Sequence, residues 1–216
     1  MFVTPLLAVA FAAQEPAPPP APLVVLAAAR LFDAESGTLK TGLRVHVQGE
    51  RIVAVVPATE PVPAGATVID LGDRTLLPGW IDCHTHLTAD LDEGWVTRDV
   101  TETAADAALR GSRNARLTLR AGFTTVRDVG STGFADVSLM RAIDKGFLEG
   151  PRMIPAGHTI SVTGGHADVT GFAPGVREAG PEEGVADGPE AVLRAVRYQI
   201  KHGAKVIKIC ATAGVL

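Results

Sequence analysis

Short apolar runs and amphipathic segments alternate along this chain, and their order divides it into two parts. Up to residue 77 the apolar runs are short and rich in β-branched residues, and turns with Gly, Pro or Glu separate them. This pattern predicts a small β unit with strands at 23–26, 44–47, 51–56 and 67–70.

From residue 78 onward, strand-like and helix-like segments alternate, which is typical of a parallel α/β arrangement. Gly122 and Gly203 each follow an amphipathic segment and predict its end. We predict strands in the run that leads to His86 and at 124–128, 152–155 and 206–211, and helices at 101–120, 134–147 and 189–202.

Two histidines, His84 and His86, end the first of these strands. Side chains on a strand alternate between its faces, so both imidazoles point to one side together with Asp82. Two neutral imidazoles on a rigid strand suit zinc and other borderline divalent ions, with further ligands supplied from elsewhere in the fold. The alternative is an incidental pair of surface histidines.

Four segments carry a resemblance to a known family: 77–87, 122–128, 163–166 and 203–209. The first closely resembles the first barrel strand of the metal-dependent amidohydrolase superfamily. Together the four resemble its imidazolonepropionase-like branch, which includes Xaa-Pro dipeptidases and ochratoxin hydrolases. The resemblance extends over about residues 23–216. It implies an α/β fold, the first half of an amidohydrolase-type (α/β)8 barrel after part of a small β-sandwich domain at 23–77.

The length of 216 residues is short for this fold, because an (α/β)8 barrel usually takes about 250 residues. We therefore expect residues 78–216 to hold barrel strands one to four, and the chain to be truncated. The resemblance implies two further histidine ligands from strands five and six, and a proton-shuttle aspartate from strand eight, beyond Leu216. The alternative is a non-catalytic fragment.

Lys208 lies in the predicted fourth strand, on one face with Val206 and Cys210. In a barrel interior, desolvation would lower the pKa of its amine and make it nucleophilic. The resemblance implies that this lysine takes up carbon dioxide, and that the carbamate bridges two divalent metal ions, with zinc expected. His84 and His86 would bind one of these ions. The alternative is a lysine exposed at the barrel rim.

Two further residues are candidates for the site. Asp128 ends the second barrel strand, where we expect it to point into or above the barrel and either to orient a ligand or loop, or to cap a helix. His166 follows two glycines in the long loop 159–187, and the resemblance implies that it contacts substrate; a structural loop histidine is the alternative.

Charge and cysteine content narrow the class of protein. The net charge is −4 with scattered charges, so we expect no nucleic acid partner. Cys83 and Cys210 occur in apolar strands, which indicates buried thiols rather than a disulfide.

The first residues indicate export. Residues 1–13 form a short apolar segment that predicts a signal peptide, and the proline-rich residues 14–22 predict an extended linker. The apolar segment is shorter than the roughly 20 residues that a membrane span takes. We expect a secreted or periplasmic protein, with the cytoplasm as the alternative.

Together these features predict a metal-dependent hydrolase of acyclic amide or peptide bonds. A dipeptidase or an N-acyl amino acid amidohydrolase is expected, acting on a small molecule or short peptide. A cyclic-amide hydrolase such as an imidazolonepropionase is the alternative, because related enzymes share the His84-x-His86 pair. The oligomeric state stays open.

Overall fold

The structure, a computed structural model, describes residues 21–90 and 92–212. The predicted signal peptide, most of the predicted linker and the last four residues lie outside this range. The chain divides into two compact units, Met1–Pro78 and Gly79–Leu216. Each unit is described by itself.

The first unit contains two small sheets. Strands β1 (Leu23–Ala27), β4 (Leu43–Gln48), β5 (Arg51–Pro57) and β6 (Thr67–Asp70) form one sheet in the order β5-β4-β1-β6. These are the four strands that the apolar runs predict. The second sheet has the order β3-β2-β7 and consists of the unpredicted short strands Arg30–Asp33 (β2), Thr38–Lys40 (β3) and Thr75–Leu76 (β7).

The second unit is built on a parallel sheet of three strands in the order β10-β9-β8. They are β8 (Trp80–Thr85), β9 (Phe123–Asp128) and β10 (Arg152–Pro155). The helices are α1 (Trp95–Thr101), α2 (Ala104–Arg120), α3 (Ala135–Asp144) and α4 (Gly188–His202), with a short 3-10 helix at Pro181–Glu183. This mixed α/β arrangement confirms the predicted fold class.

The helix boundaries follow from capping groups. The predicted helix 101–120 begins later, at Ala104, because the side chains of Thr103 and Asp106 form a reciprocal capping box at its start. The seven-residue α1 before it was not predicted. Gly122 has φ +100° beyond the end of α2, and Gly203, with φ +109°, ends α4, so both predicted stops are confirmed.

The predicted fourth strand, 206–211, is not a strand. The segment forms one isolated parallel bridge, between Ile160 and Ile209. The Ile160 amide donates to the Lys208 carbonyl at 2.8 Å, and the Cys210 amide donates to the Ile160 carbonyl at 2.8 Å. β10 ends at Pro155, four residues lie between it and Ile160, and no continuous ladder forms. Lys208 therefore lies in a segment that is hydrogen-bonded to residue 160 but is not a strand of the sheet.

The main core of the second unit lies on one side of this sheet. Val126 and Met153 pack there against helix residues that include Ala115, Leu139 and Met140. On the opposite side, Ile81 and Ile154 are exposed. The prediction that both cysteines are buried is wrong for Cys83, which is exposed on β8, while Cys210 is half-buried, and neither forms a disulfide. No helix in residues 21–90 or 92–212 is long and apolar enough to cross a membrane.

Candidate active site

The two predicted metal ligands lie at the carboxyl end of β8, on the side of the sheet away from the core. The ring centroids of His84 and His86 are 5.5 Å apart, and both side chains are exposed. The Asp82 carboxylate accepts a hydrogen bond from the His84 amide at 2.9 Å, which fixes the backbone between them. Both imidazoles are thus presented from a strand whose backbone is held locally.

The His86 ring is oriented by the loop that follows β9. Its Nδ1 lies 3.0 Å from the Gly130 carbonyl oxygen. Because a carbonyl only accepts hydrogen bonds, this contact assigns the proton to Nδ1 and leaves the lone pair on Nε2. A metal-binding histidine commonly donates its second ring nitrogen to a carbonyl in this way.

The charge of Lys208 acts on one member of this pair, His84. Partial desolvation lowers the pKa of the His84 imidazole, and the nearby positive charge of Lys208 lowers it further. Both effects favour the neutral imidazole that a metal requires. The structure thus brings together His84 and His86, and it places Lys208, which is not on a strand, where its charge acts on His84.

The donor set fits a divalent metal only in part. Within residues 21–90 and 92–212, no three His, Cys, Asp or Glu side chains are arranged to hold a metal ion. Two imidazoles and an amine can begin such a site, because zinc accepts nitrogen ligands and a carboxylated lysine would add oxygen ligands. Further ligands are needed to complete the shell.

Asp128 does not point toward the histidines, which corrects the expected orientation. It is fully buried on the core side of the sheet, the same side as Val126. Its Oδ2 accepts a hydrogen bond from the Leu87 amide at 2.7 Å, so it holds the backbone directly after His86.

The environment of Asp128 favours its protonated form. Burial raises the pKa of its carboxyl group to about 7, although the Leu87 amide opposes this shift. Its Oδ1 is buried and has no hydrogen-bond partner among the described residues. A buried carboxylate oxygen without a hydrogen-bond partner is costly when it carries charge, so this environment favours the protonated carboxyl group.

His166 faces the same cavity as His86. This cavity measures about 370 Å³ and lies at the carboxyl ends of the parallel strands. The His166 side chain is exposed, and its amide donates to the Thr212 carbonyl at 3.2 Å. A Cβ on the neighbouring Gly165 would lie 2.3 Å from the Ser161 hydroxyl oxygen, so this loop conformation requires glycine.

The long loop that carries His166 is hydrogen-bonded to Asp187, the residue at the start of α4. The Asp187 carboxylate accepts hydrogen bonds from the Thr163 amide at 3.0 Å and from the Thr163 hydroxyl at 2.6 Å. This contact anchors the glycine-rich turn that precedes His166.

His158 also lines the cavity. Its Nε2 accepts from the Gly133 amide at 3.0 Å, and its Nδ1 lies 3.2 Å from the Gln199 side-chain oxygen. Burial lowers the pKa of His158, so the imidazole is neutral and held by both nitrogens. Its signal in the sequence was only its position shortly after a strand end.

Helix α1 supplies a wall of the cavity that sequence reasoning missed. Trp95, Val96 and Asp99 line it, as does Arg177 from the long loop. Because α1 was not predicted, none of its residues was considered for the site.

Comparison with known proteins connects this arrangement with characterised relatives. Ochratoxinase from Aspergillus niger is 35% identical over 156 residues, which cover 65% of this chain and 32% of that protein. Imidazolonepropionase from Arthrobacter sp. (strain FB24) is 47% identical over 55 residues, which cover 26% of this chain and 13% of that protein.

A crystal structure of a Xaa-Pro dipeptidase superposes with a TM-score of 0.77 at 34% identity, covering 87% of this chain and 46% of that one. The chain thus spans less than half the length of these relatives. Residues 75–216, well over half of the chain, match the Amidohydrolase family. The chain therefore belongs to the amidohydrolase family, whose members are generally metal-dependent.

Proposed function

We propose that the full-length protein is a metal-dependent hydrolase of acyclic amide or peptide bonds, either a dipeptidase or an N-acyl amino acid amidohydrolase. The observation that carries this proposal is the pair of imidazoles of His84 and His86 at the carboxyl end of a parallel strand, where His86 lines a cavity and the charge of Lys208 acts on His84. Active sites of such barrels gather at this end.

In this proposal His84 and His86 would hold one divalent ion, with zinc expected, and Lys208, once carboxylated by carbon dioxide, would supply oxygen ligands. When bound, such ions polarise the scissile carbonyl and activate a water molecule near neutral pH. The Gly130 carbonyl keeps the His86 Nε2 free for binding, and partial desolvation lowers the pKa of His84, which favours its neutral ring.

Two other side chains have proposed roles: one contacts the substrate, and one fixes the backbone near the histidines. His166 binds the substrate from the glycine-rich turn. Asp128 acts on the site indirectly, because it holds the Leu87 amide and thereby the position of His86. The substrate class is supported by two relatives, a Xaa-Pro dipeptidase with methionine bound in its active site and ochratoxinase.

The test is a substrate panel on the full-length protein loaded with zinc, cobalt or manganese. Xaa-Pro and Xaa-Arg dipeptides and N-acyl aromatic amino acids are compared with cyclic ureides and imidazolone propionate. We expect metal-dependent turnover of the acyclic compounds.

A cyclic-amide hydrolase is the second candidate, because of the 47% local identity to an imidazolonepropionase. Turnover confined to the cyclic compounds would establish it and refute the peptidase proposal.

Export remains part of the proposal. The predicted signal peptide at residues 1–13 supports a secreted or periplasmic location. Sequencing the amino terminus of the mature protein checks it: a start near Gln14 is expected, and retention of Met1 would refute it.

A further inference from the structure

The arginines that line the cavity are already neutralised. Each forms an ion pair with a carboxylate of its own surroundings: Arg98 with Asp92, Arg110 with Glu102, and Arg177 with Glu183. Arg98 and Arg110 also donate to the backbone carbonyls of Asp90 and Thr88. None of the three is therefore an open receptor for a substrate carboxylate.

The acidic groups of the cavity exceed the basic ones. Five carboxylates and three guanidinium groups line it, so two negative charges are in excess when the lining histidines are neutral. Four of the five carboxylates are engaged by arginines, by Asn114 or by backbone amides: Asp90, Glu102, Asp168 and Glu183.

Asp99 is the exception. It lies on α1, is half-buried, and lines the cavity. Its carboxylate accepts no hydrogen bond from the residues that the structure describes. Arg177, the cation whose charge acts on Asp99, is already paired with Glu183 on the long loop. Asp99 thus presents a partly desolvated acceptor to the cavity, without a partner in the described part of the chain.

We propose that Asp99 is a specificity-determining residue that binds a protonated amino group of the substrate. Resting on the proposed amide hydrolysis, this assigns the substrate class: dipeptides or amino acid amides with a free α-amino group, in preference to N-acylated analogues. A charged hydrogen bond at a partly desolvated site discriminates because the neutral analogue leaves the carboxylate unpaired.

The electrostatics of Asp99 agree with this role. Burial raises the pKa of its carboxyl group, the positive charge of Arg177 lowers it, and the negative charge of Glu183 raises it. Asp168 also lies within the field of Arg177. An ammonium group favours the ionised form of Asp99, so amine binding weakens as the pH falls through the pKa of this carboxyl group.

The experiment uses the full-length, metal-loaded protein and a matched pair of substrates, alanyl-proline and N-acetyl-alanyl-proline. We expect wild type to prefer the free amine in kcat/KM by about 10- to 100-fold. Asp99→Asn, which is isosteric, should reduce that preference to within about threefold, mainly through KM. Glu93→Gln removes one exposed negative charge beside α1 outside the cavity, and it should keep the preference.

Equal turnover of both substrates by wild type, or an unchanged preference in Asp99→Asn, would overturn the assignment while leaving amide hydrolysis intact. Binding decides the case in which neither substrate is hydrolysed. L-alaninamide binding at least tenfold more tightly than N-acetyl-L-alaninamide, with the difference lost in Asp99→Asn, would support Asp99 although the proposed hydrolysis had failed. Absence of any such difference would refute it.

Discussion

The two sides of the β8-β9-β10 sheet differ in how their polar groups are used. On the open side, His84 and His86 are exposed, and the charge of Lys208 acts on His84. On the core side, Asp128 and Asp136 are fully buried and accept hydrogen bonds from backbone amides. One side offers nitrogen ligands to a bound group, while the other uses carboxylates to hold the chain. The chemistry of the site therefore depends directly on the open side, and it depends on the core side because the buried carboxylates position the backbone.

The buried carboxylates hold the two loops that carry cavity residues. Asp128 accepts from the Leu87 amide, next to His86, and Asp136 accepts from the Gly157 amide at 2.8 Å, next to His158. Burial raises the pKa of both carboxyl groups, and the negative charge of Asp136 further raises that of Asp128. The carboxylates of the core side thus hold both loops in position, and their burial costs stability.

The largest expected effect is on the open side. His84→Ala, His86→Ala and Lys208→Ala should each lower kcat/KM of the full-length enzyme by at least about 1,000-fold, because metal stabilisation of the transition state is lost. Since the two histidines are exposed, the free energy of unfolding of the metal-free protein should change by less than about 1 kcal/mol. Steady-state kinetics, metal analysis and denaturant unfolding measure these effects.

Lys205→Ala is the matched control for Lys208→Ala, because Lys205 is a nearby exposed lysine. It should retain activity. Full activity of Lys208→Ala after zinc loading, without added bicarbonate or short carboxylates, would contradict the carbamate. Loss of cooperative unfolding in the histidine variants would contradict the claim that the open side binds the metal without stabilising the fold.

The next effect concerns Asp128 on the core side. A pKa of about 7 in the folded protein, against 3.8 for an unperturbed aspartate, means that the folded state holds this proton more tightly than the unfolded state. Stability from this group is therefore greatest below pH 4, falls as the pH rises from about 4 to 7, and is constant above. The total difference is of the order of 4 kcal/mol.

Asp128→Asn should remove this pH dependence and keep an acceptor for the Leu87 amide. Its free energy of unfolding relative to wild type should rise between pH 4 and 7. Urea unfolding of the metal-free full-length protein at pH 4, 5.5, 7 and 8 measures it, with exposed Asp73→Asn as the control. Parallel pH profiles of wild type and Asp128→Asn would show that folding does not shift the pKa of this carboxyl group, and would contradict the prediction.

The sequence was informative where short-range signals decide the structure. Strand alternation was sufficient to place His84 and His86 on one side, and the glycines after α2 and α4 mark their ends. Alternation also paired Asp128 with Val126, but it could not tell which side of the sheet packs against helices. That side depends on Ala115, Leu139 and other partners distant in the sequence.

Two other features depended on longer-range contacts. Residues 206–211 have the apolar pattern of a strand, but a ladder needs a facing partner, and a single bridge to Ile160 forms. Helix α1 is seven residues long, has no acidic residue in its first turn and no side-chain cap. Without these signals its Asp99 could not be assigned to the cavity before the structure was known.

The smallest expected effect is that of His166, which tests whether the open side also binds substrate. Its side chain is exposed and lines the cavity. His166→Ala should therefore raise KM by about tenfold, because the loss of one hydrogen bond costs roughly 1.4 kcal/mol. The kcat and the free energy of unfolding should change little. His46→Ala is a control from the first unit, where His46 is buried in strand β4; it should lower stability and leave KM unchanged. An unchanged KM in His166→Ala would remove this histidine from the substrate site. An equal fall in kcat and kcat/KM would instead assign its interaction to the transition state.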